Sequence, residues 1–195
     1  MTPAVAAIVL AAGASTRMGR NKLLLEIEGE TLVRRVVRAA GGAGLDRVVV
    51  VLGHDEARVR DQLDGLPCET VVNPDHARGA GTSLHTGVRQ VAADASAVVI
   101  VLADMPFVTA PMIAALVDRY RTTHAPVVVS RYGNVQAPPT LYDRALFAEL
   151  LAIDDDRGGK QVVGRHQADA EAVTWPESAL QDIDSPADYD RIVGS

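Results

Sequence analysis

Residues 5–22 read VAAIVLAAGASTRMGRNK: seven apolar residues run without a break into a loop of small residues, two glycines and three basic side chains. An apolar run that never alternates with polar residues predicts a strand buried on both faces, which is the habit of parallel sheets covered by helices. The same stretch is N-terminal and rich in small residues, like the apolar part of a secretory signal. No charged segment precedes it, however, and Arg17, Arg20 and Lys22 follow it, so the reading is a strand running into a loop. Similar short Val- and Ile-rich runs recur at 47–52, 69–72, 97–102 and 126–129. Between them, segments 31–40, 56–63, 82–92 and 109–122 read as helices. In the first of these, Leu32, Val33, Val36, Val37 and Ala40 fall on one face. Thr31 and Thr109 are expected N-caps, Pro111 suits the first turn of a helix, and Gly41, Gly42 and Gly44 mark a stop. The class is α/β, of the doubly wound kind.

With 195 residues, 48% of them hydrophobic and 23% charged, the chain has the composition of a globular protein and is too short for two full-sized domains. One domain over 1–195 is expected, large enough to bury roughly 70% of its unfolded surface without a metal or disulfide. The single cysteine, Cys68, excludes an intrachain disulfide and is read as a packing residue in a reducing compartment. A net charge of −6 argues against non-specific nucleic-acid binding. No stretch reaches the ~18–20 apolar residues of a membrane span, so a cytoplasmic location with no membrane partner is expected.

Beyond Ser130 the pattern loosens. Tyr132, Gly133 and Asn134 form a turn, and Ala137-Pro138-Pro139 suits an edge or a loop better than a central strand. A short helix over 144–151, an exposed acidic loop over 154–159, a strand near 170–173 and a helix over 186–192 complete the expectation.

Open α/β sheets bind ligands beyond the carboxyl ends of their strands. After the first strand, Gly13 and Gly19 permit close backbone approach, and Arg17 and Lys22 add positive charge. Many donors, little bulk and fixed cations suit a triphosphate. The loop is neither a Walker A motif nor a G-x-G-x-x-G fingerprint, and on glycines alone it could be a solvated turn. Asp104 follows the 97–102 strand, so its carboxylate should emerge at the same edge. Magnesium favours one or two carboxylates with phosphate oxygens and waters, and Asp182 or Asp184 could supply the second. The competing role for both aspartates is helix capping. His54, His76 and Arg78 lie near the expected cleft, and His85 is expected on a helix in a structural role. Lys160, the only other lysine, faces either an anionic substrate or solvent, and Trp175 could serve an interface.

The string L-A-A-G-x-S-x-R-M-G-x-x-K resembles the signature of the MobA/MocA-like nucleotidyltransferases. The resemblance continues in Asn73-Pro74 with Gly79 to Leu84, in Leu102-Ala103-Asp104-Met105-Pro106, and in Asp182-Ile183-Asp184-Ser185-Pro186, all in family order. It implies a single-domain, three-layer α/β/α, Rossmann-like nucleotide-diphospho-transferase fold with a mostly parallel sheet. It also implies nucleotide binding by Leu10, Ala11, Ala12, Gly13, Lys22, Asn73, Gly79, Ser83 and Asp104. Catalysis would fall to Arg17, Lys22 and Asp104, with Mg2+ on Asp104 and Asp184. Leu-Ala-Ala-Gly and the Leu23–Leu25 run resemble the cytidylyltransferase branch, and the Ala12 methyl takes room that a purine would need. The implied reaction is transfer of CMP from CTP to the phosphate of molybdopterin with release of pyrophosphate, followed by transient docking onto an apo-molybdoenzyme. Ala137 stands where many members of that branch carry histidine. Guanylyl or other nucleotidyl transfer, a nucleotide-binding cofactor escort without turnover, and an NAD(P)-dependent oxidoreductase are the competing functions. The missing fingerprint weighs against the last.

Overall fold

The computed structural model describes residues 4–15, 18–153, 158–181, 183 and 185–193. Strand β1 (Val5–Ala11) leads through the loop to a small hairpin, β2 (Glu26–Ile27) and β3 (Glu30–Thr31), and then to α1 (Leu32–Gly41). There follow β4 (Arg47–Leu52), α2 (Glu56–Asp61), β5 (Glu69–Val72), α3 (Ala80–Val91), β6 (Ala97–Leu102) and α4 (Ala110–Thr123). The last part holds β7 (Val127–Tyr132), β8 (Val135–Asp143), α5 (Phe147–Leu151), α6 (Lys160–Arg165), β9 (Glu171–Trp175) and α7 (Pro186–Val193).

Seven strands form one sheet in the order β5-β4-β1-β6-β8-β7-β9. The contacts β5/β4, β4/β1, β1/β6 and β7/β9 are parallel, whereas β8 runs antiparallel to both β6 and β7. The expected mostly parallel α/β/α fold is therefore present. Because β1 is buried on both faces, its alternate residues serve two cores. Val5, Ala7, Val9 and Ala11 pack in a cluster with α1 and α4, while Ala6 and Ile8 pack in one with α3 and α5. The chain moves outward from β1 to β4 and β5, then returns to β6 on the other side of β1. That reversal opens a crevice at the carboxyl ends of β1 and β6.

Several local expectations need correction. Thr31 precedes α1 but makes no capping bond, because it is a β3 residue, whereas the Thr109 side chain accepts from the Met112 N–H as expected. The 126–129 strand starts at Val127 and extends to Tyr132. Ala137-Pro138-Pro139 belongs to β8, an interior strand, not to an edge or a loop. The prolines are tolerated there because the register breaks beside them: Val129 pairs with Thr140 and Ser130 with Ala137, so Pro138 and Pro139 fall outside the ladder with β7. Helix α6 was not anticipated from its pattern. The 154–157 part of the acidic loop lies outside the described residues. Cys68 is half-buried against the α1/α4 core, and burial pushes its thiol pKa up, in keeping with a packing role. No described helix is long and apolar enough to cross a membrane.

Candidate active site

The crevice forms where β1 and β6 end side by side, with Leu10 opposite Leu102 and the Ala103 N–H donating to the Leu10 carbonyl at 3.1 Å. The loop beyond β1 is folded by its own short side chains. Ser15 has a positive φ of 52°, its carbonyl accepts from the Met18 N–H at 2.9 Å, and its hydroxyl accepts from the Lys22 N–H at 3.1 Å. Asn21 then caps the turn Lys22–Leu24 by accepting from the Leu23 N–H at 3.1 Å. These bonds aim Lys22 across the crevice, and its Nζ lies 2.6 Å from Asp104 Oδ2. The pair is largely enclosed, with side-chain exposures of 14% and 23%. Asp104 does not cap α4, since Thr109 holds that position; its carboxylate belongs to the crevice.

Two lobes meet at Asp104. The first, of about 420 Å3, is lined by the β1 loop from Ala12 to Ser15, by Lys22, and by His76, Gly79 and Ser83 at the start of α3. The second, of about 310 Å3, has an apolar floor that includes Leu84, Ile100 and Val163, with Gln136, Thr140, Tyr142 and Lys160 as its polar groups. Leu10, Ala80, Leu102 and Asp104 line both. A wider hollow of about 890 Å3 lies by the β2–β3 hairpin and α7 and shares Leu180 with the second lobe.

Three glycines shape these walls. A Cβ on Gly13 would meet nothing within 4 Å and its φ is not positive, so neither packing nor backbone requires glycine there; the space above it belongs to the lobe. At Gly53 the reverse holds, since a Cβ would come within 2.7 Å of both Ala12 Cβ and His76 Cβ. A Cβ at Gly159 would collide with the Tyr142 hydroxyl. Tyr142 is buried, which pushes its phenol pKa well above the ordinary value and keeps it neutral.

Most of the residues singled out in the sequence converge here. Leu10, Ala12, Gly13, Lys22, Gly79, Ser83 and Asp104 line the first lobe. Ala11 is buried at the end of β1. Asn73, 2% exposed, uses its side chain as a brace: Nδ2 donates to Thr82 Oγ1 at 2.8 Å and to Ser83 Oγ at 3.0 Å, while Oδ1 accepts from the Asp75 N–H. Arg17, Asp182 and Asp184 lie outside the described residues. Ile183, between the two aspartates, is fully buried, and its N–H donates to the Asp104 carbonyl at 3.4 Å. His76 lines the first lobe, and the His54 ring lies 6.3 Å from it. Arg78 is exposed and pairs with Asp75 at 3.7 Å. His85 sits on α3 with a buried, unpartnered Nε2. Lys160 and Ala137 both line the second lobe. Sequence reasoning did not find Gly53 or the Tyr142–Gly159 contact. A glycine directly after the 47–52 strand was the only signal for the former, and nothing local signals the latter.

Among the described residues no cluster of three or more His, Cys, Asp or Glu side chains is placed to hold a metal. Asp104 itself offers a carboxylate at the crevice, and magnesium commonly adds substrate oxygens and water to one or two such carboxylates. That donor set fits a cation brought in with a phosphate substrate.

A family model of the MobA-like NTP transferase domain matches residues 7–170. The purine catabolism protein PucB of Bacillus subtilis is 30% identical, over 98% of this chain and 97% of its own. The crystal structure of Rv0371c from Mycobacterium tuberculosis H37Rv superposes with a TM-score of 0.88 at 27% identity, covering all of both chains. A manganese complex of Rv0371c gives a TM-score of 0.82 at 28% identity, covering 98% of this chain and 99% of that one.

Proposed function

The chain belongs to the MobA-like NTP transferase family and is a nucleotidyltransferase; on that premise we propose that it transfers CMP from CTP to the terminal phosphate of molybdopterin. The observation that carries this reading is the pair of lobes meeting at Asp104, with Lys22 beside it in the first, which gives two substrates one point of contact. Both volumes are of the size that small-molecule sites have.

In the first lobe, the β1 loop around Gly13 holds the triphosphate, and the Lys22 ammonium follows the charge that develops on the α-phosphate and the departing pyrophosphate. Arg17 contributes a further positive charge, and Asn73 holds the Gly79 to Ser83 turn against the nucleotide. An oxygen of the acceptor phosphate attacks the α-phosphorus in line, one P–O bond forms, and the bond to pyrophosphate breaks. A phosphate monoester is already ionised near neutral pH, so the residues need to position and neutralise rather than to remove a proton. Asp104, with Asp184, would hold Mg2+, which when bound offsets charge on the phosphate oxygens. The manganese complex of Rv0371c supports a divalent cation.

Cytosine is favoured because Ala12 carries its methyl on the lobe wall while Gly53 leaves no side chain between Ala12 and His76. The second lobe pairs apolar walls with a few polar groups, which suits a flat heteroaromatic acceptor such as a pterin better than a polyhydroxylated sugar. Its product would then pass to an apo-molybdoenzyme by transient docking.

A thermal shift against CTP, GTP, UTP, ATP and NADPH with magnesium tests the nucleotide. Ligand at about 100 times its dissociation constant stabilises by about 2.7 kcal/mol, which for a chain of this size raises Tm by roughly 5–10 °C. A shift with CTP is the expected result; a preference for GTP would remove the cytidylyl assignment, and a response to NADPH alone would remove nucleotidyl transfer itself. Pyrophosphate release from CTP that depends on added molybdopterin then tests the acceptor.

Gly53→Ala gives an independent check. The new methyl forces Ala12 and His76 apart, so CTP affinity should fall by about tenfold, or ~1.4 kcal/mol. Calorimetry reads that loss, and an unchanged affinity would mean that this wall does not touch the nucleotide.

A further inference from the structure

The Lys22–Asp104 contact has a consequence for the order in which the site is filled. The carboxylate assigned to a divalent cation has an ammonium on Oδ2 at 2.6 Å, where the cation would also bind, in surroundings that leave 14% of the lysine and 23% of the aspartate side chain exposed. At that separation the two charges cancel for anything approaching from a distance, and the low exposure strengthens the pairing. An incoming dication would meet a neutralised carboxylate and a nearby positive charge. The backbone prevents Lys22 from drifting away as a unit, because its own N–H is tied to Ser15 Oγ and Asn21 caps the turn that begins with it. Gly13 and Ser15 line the same first lobe as Lys22, where a triphosphate would compete with Asp104 for the ammonium.

We propose that Lys22 acts as a built-in counter-cation that keeps Asp104 from loading a divalent metal until a triphosphate draws the ammonium away, so that metal and nucleotide enter together. This rests on the assignment of Asp104 as a metal-holding residue of a nucleotidyltransferase. It makes Lys22 a gate for the metal as well as a partner for phosphate. The protein then avoids holding a cation that has no phosphate to bridge.

The test is Mn2+ binding to the nucleotide-free full chain, followed by electron paramagnetic resonance. Wild type should bind weakly. Lys22→Gln removes the counter-charge and should bind at least tenfold more tightly, Lys22→Arg should stay near wild type, and the double variant Lys22→Gln/Asp104→Asn should lose the gain. Equal Mn2+ affinities for wild type and Lys22→Gln would overturn the gate, as would a gain that survives in the double variant. Each variant's unfolding midpoint confirms that it is folded. The CTP thermal shift of the wild type is read separately, so a normal shift beside equal Mn2+ affinities would discard the gate alone and leave nucleotidyl transfer standing.

Discussion

Asp104→Asn should lower turnover by at least a thousandfold, about 4 kcal/mol of transition-state stabilisation, with a smaller change in CTP affinity. The carboxylate sits where the two lobes meet, so under the proposed reaction it would act on the reacting phosphates rather than on one substrate alone. Asparagine keeps the shape but gives up the charge, and with it the means to hold a cation and to orient Lys22 at 2.6 Å. Stability should fall as well, by about 1–2 kcal/mol, because a mostly enclosed lysine loses its anionic partner. Initial rates of pyrophosphate release and the unfolding midpoint check the two effects separately. A variant that retained turnover within tenfold would remove Asp104 from the mechanism. An escort protein without turnover would lose only affinity, so the same measurement separates the two classes of function.

Gly87→Ala should be the most damaging single methyl addition outside the cleft. Gly87 lies on the face of α3 that rests on the sheet, where a Cβ would overlap Ile8 Cγ2 and come within 3.1 Å of Val51 Cγ2. Ile8 and Val51 are fully buried on neighbouring strands, and β-branched side chains have little rotameric freedom with which to yield. The helix must lift instead. Overpacking of this kind costs about 1–3 kcal/mol, and the better helix propensity of alanine returns at most about 1 kcal/mol. A net loss of about 2 kcal/mol would lower Tm by roughly 4–8 °C. Because Gly79 and Ser83 at the start of the same helix line the first lobe, CTP affinity should fall with stability. Thermal unfolding with and without CTP reads both, and an unchanged midpoint would show that α3 can shift at no cost.

Much of this architecture was legible in the chain itself. The strands at 5–11, 47–52 and 97–102 have the bounds that their apolar runs suggested, because a strand buried on both faces writes its limits as a nearly uninterrupted apolar run, and the half-exposed edge strand at 69–72 also kept its bounds. The helices of that half differ from expectation by one or two residues at most ends, where capping rather than periodicity decides. Legibility falls after Ser130. A parallel and an antiparallel strand have the same local pattern, so nothing local could say that β8 runs against its neighbours. Its two prolines even argued against an interior place, until the register break that accommodates them was seen.

The cleft shows the same division. Residue types placed after strand ends pointed to Gly13, Lys22 and Asp104, and the family resemblance added Ser83; all four line one lobe, since a doubly wound sheet brings such loops to one edge whatever their separation in sequence. Chemistry and topology class were therefore set locally, by side-chain type and hydrophobic period. Only the tertiary structure decided that Lys22 touches Asp104, that Asn73 braces α3 instead of lying open, and that Ala12 and His76 leave Gly53 no room for a Cβ. The first and the last join segments that are far apart in sequence, and the Asn73 brace spans only nine or ten residues but crosses from a strand end into a helix. Their geometry depends on how the loops close over the sheet, and that packing leaves no repeating mark in the residues that make it.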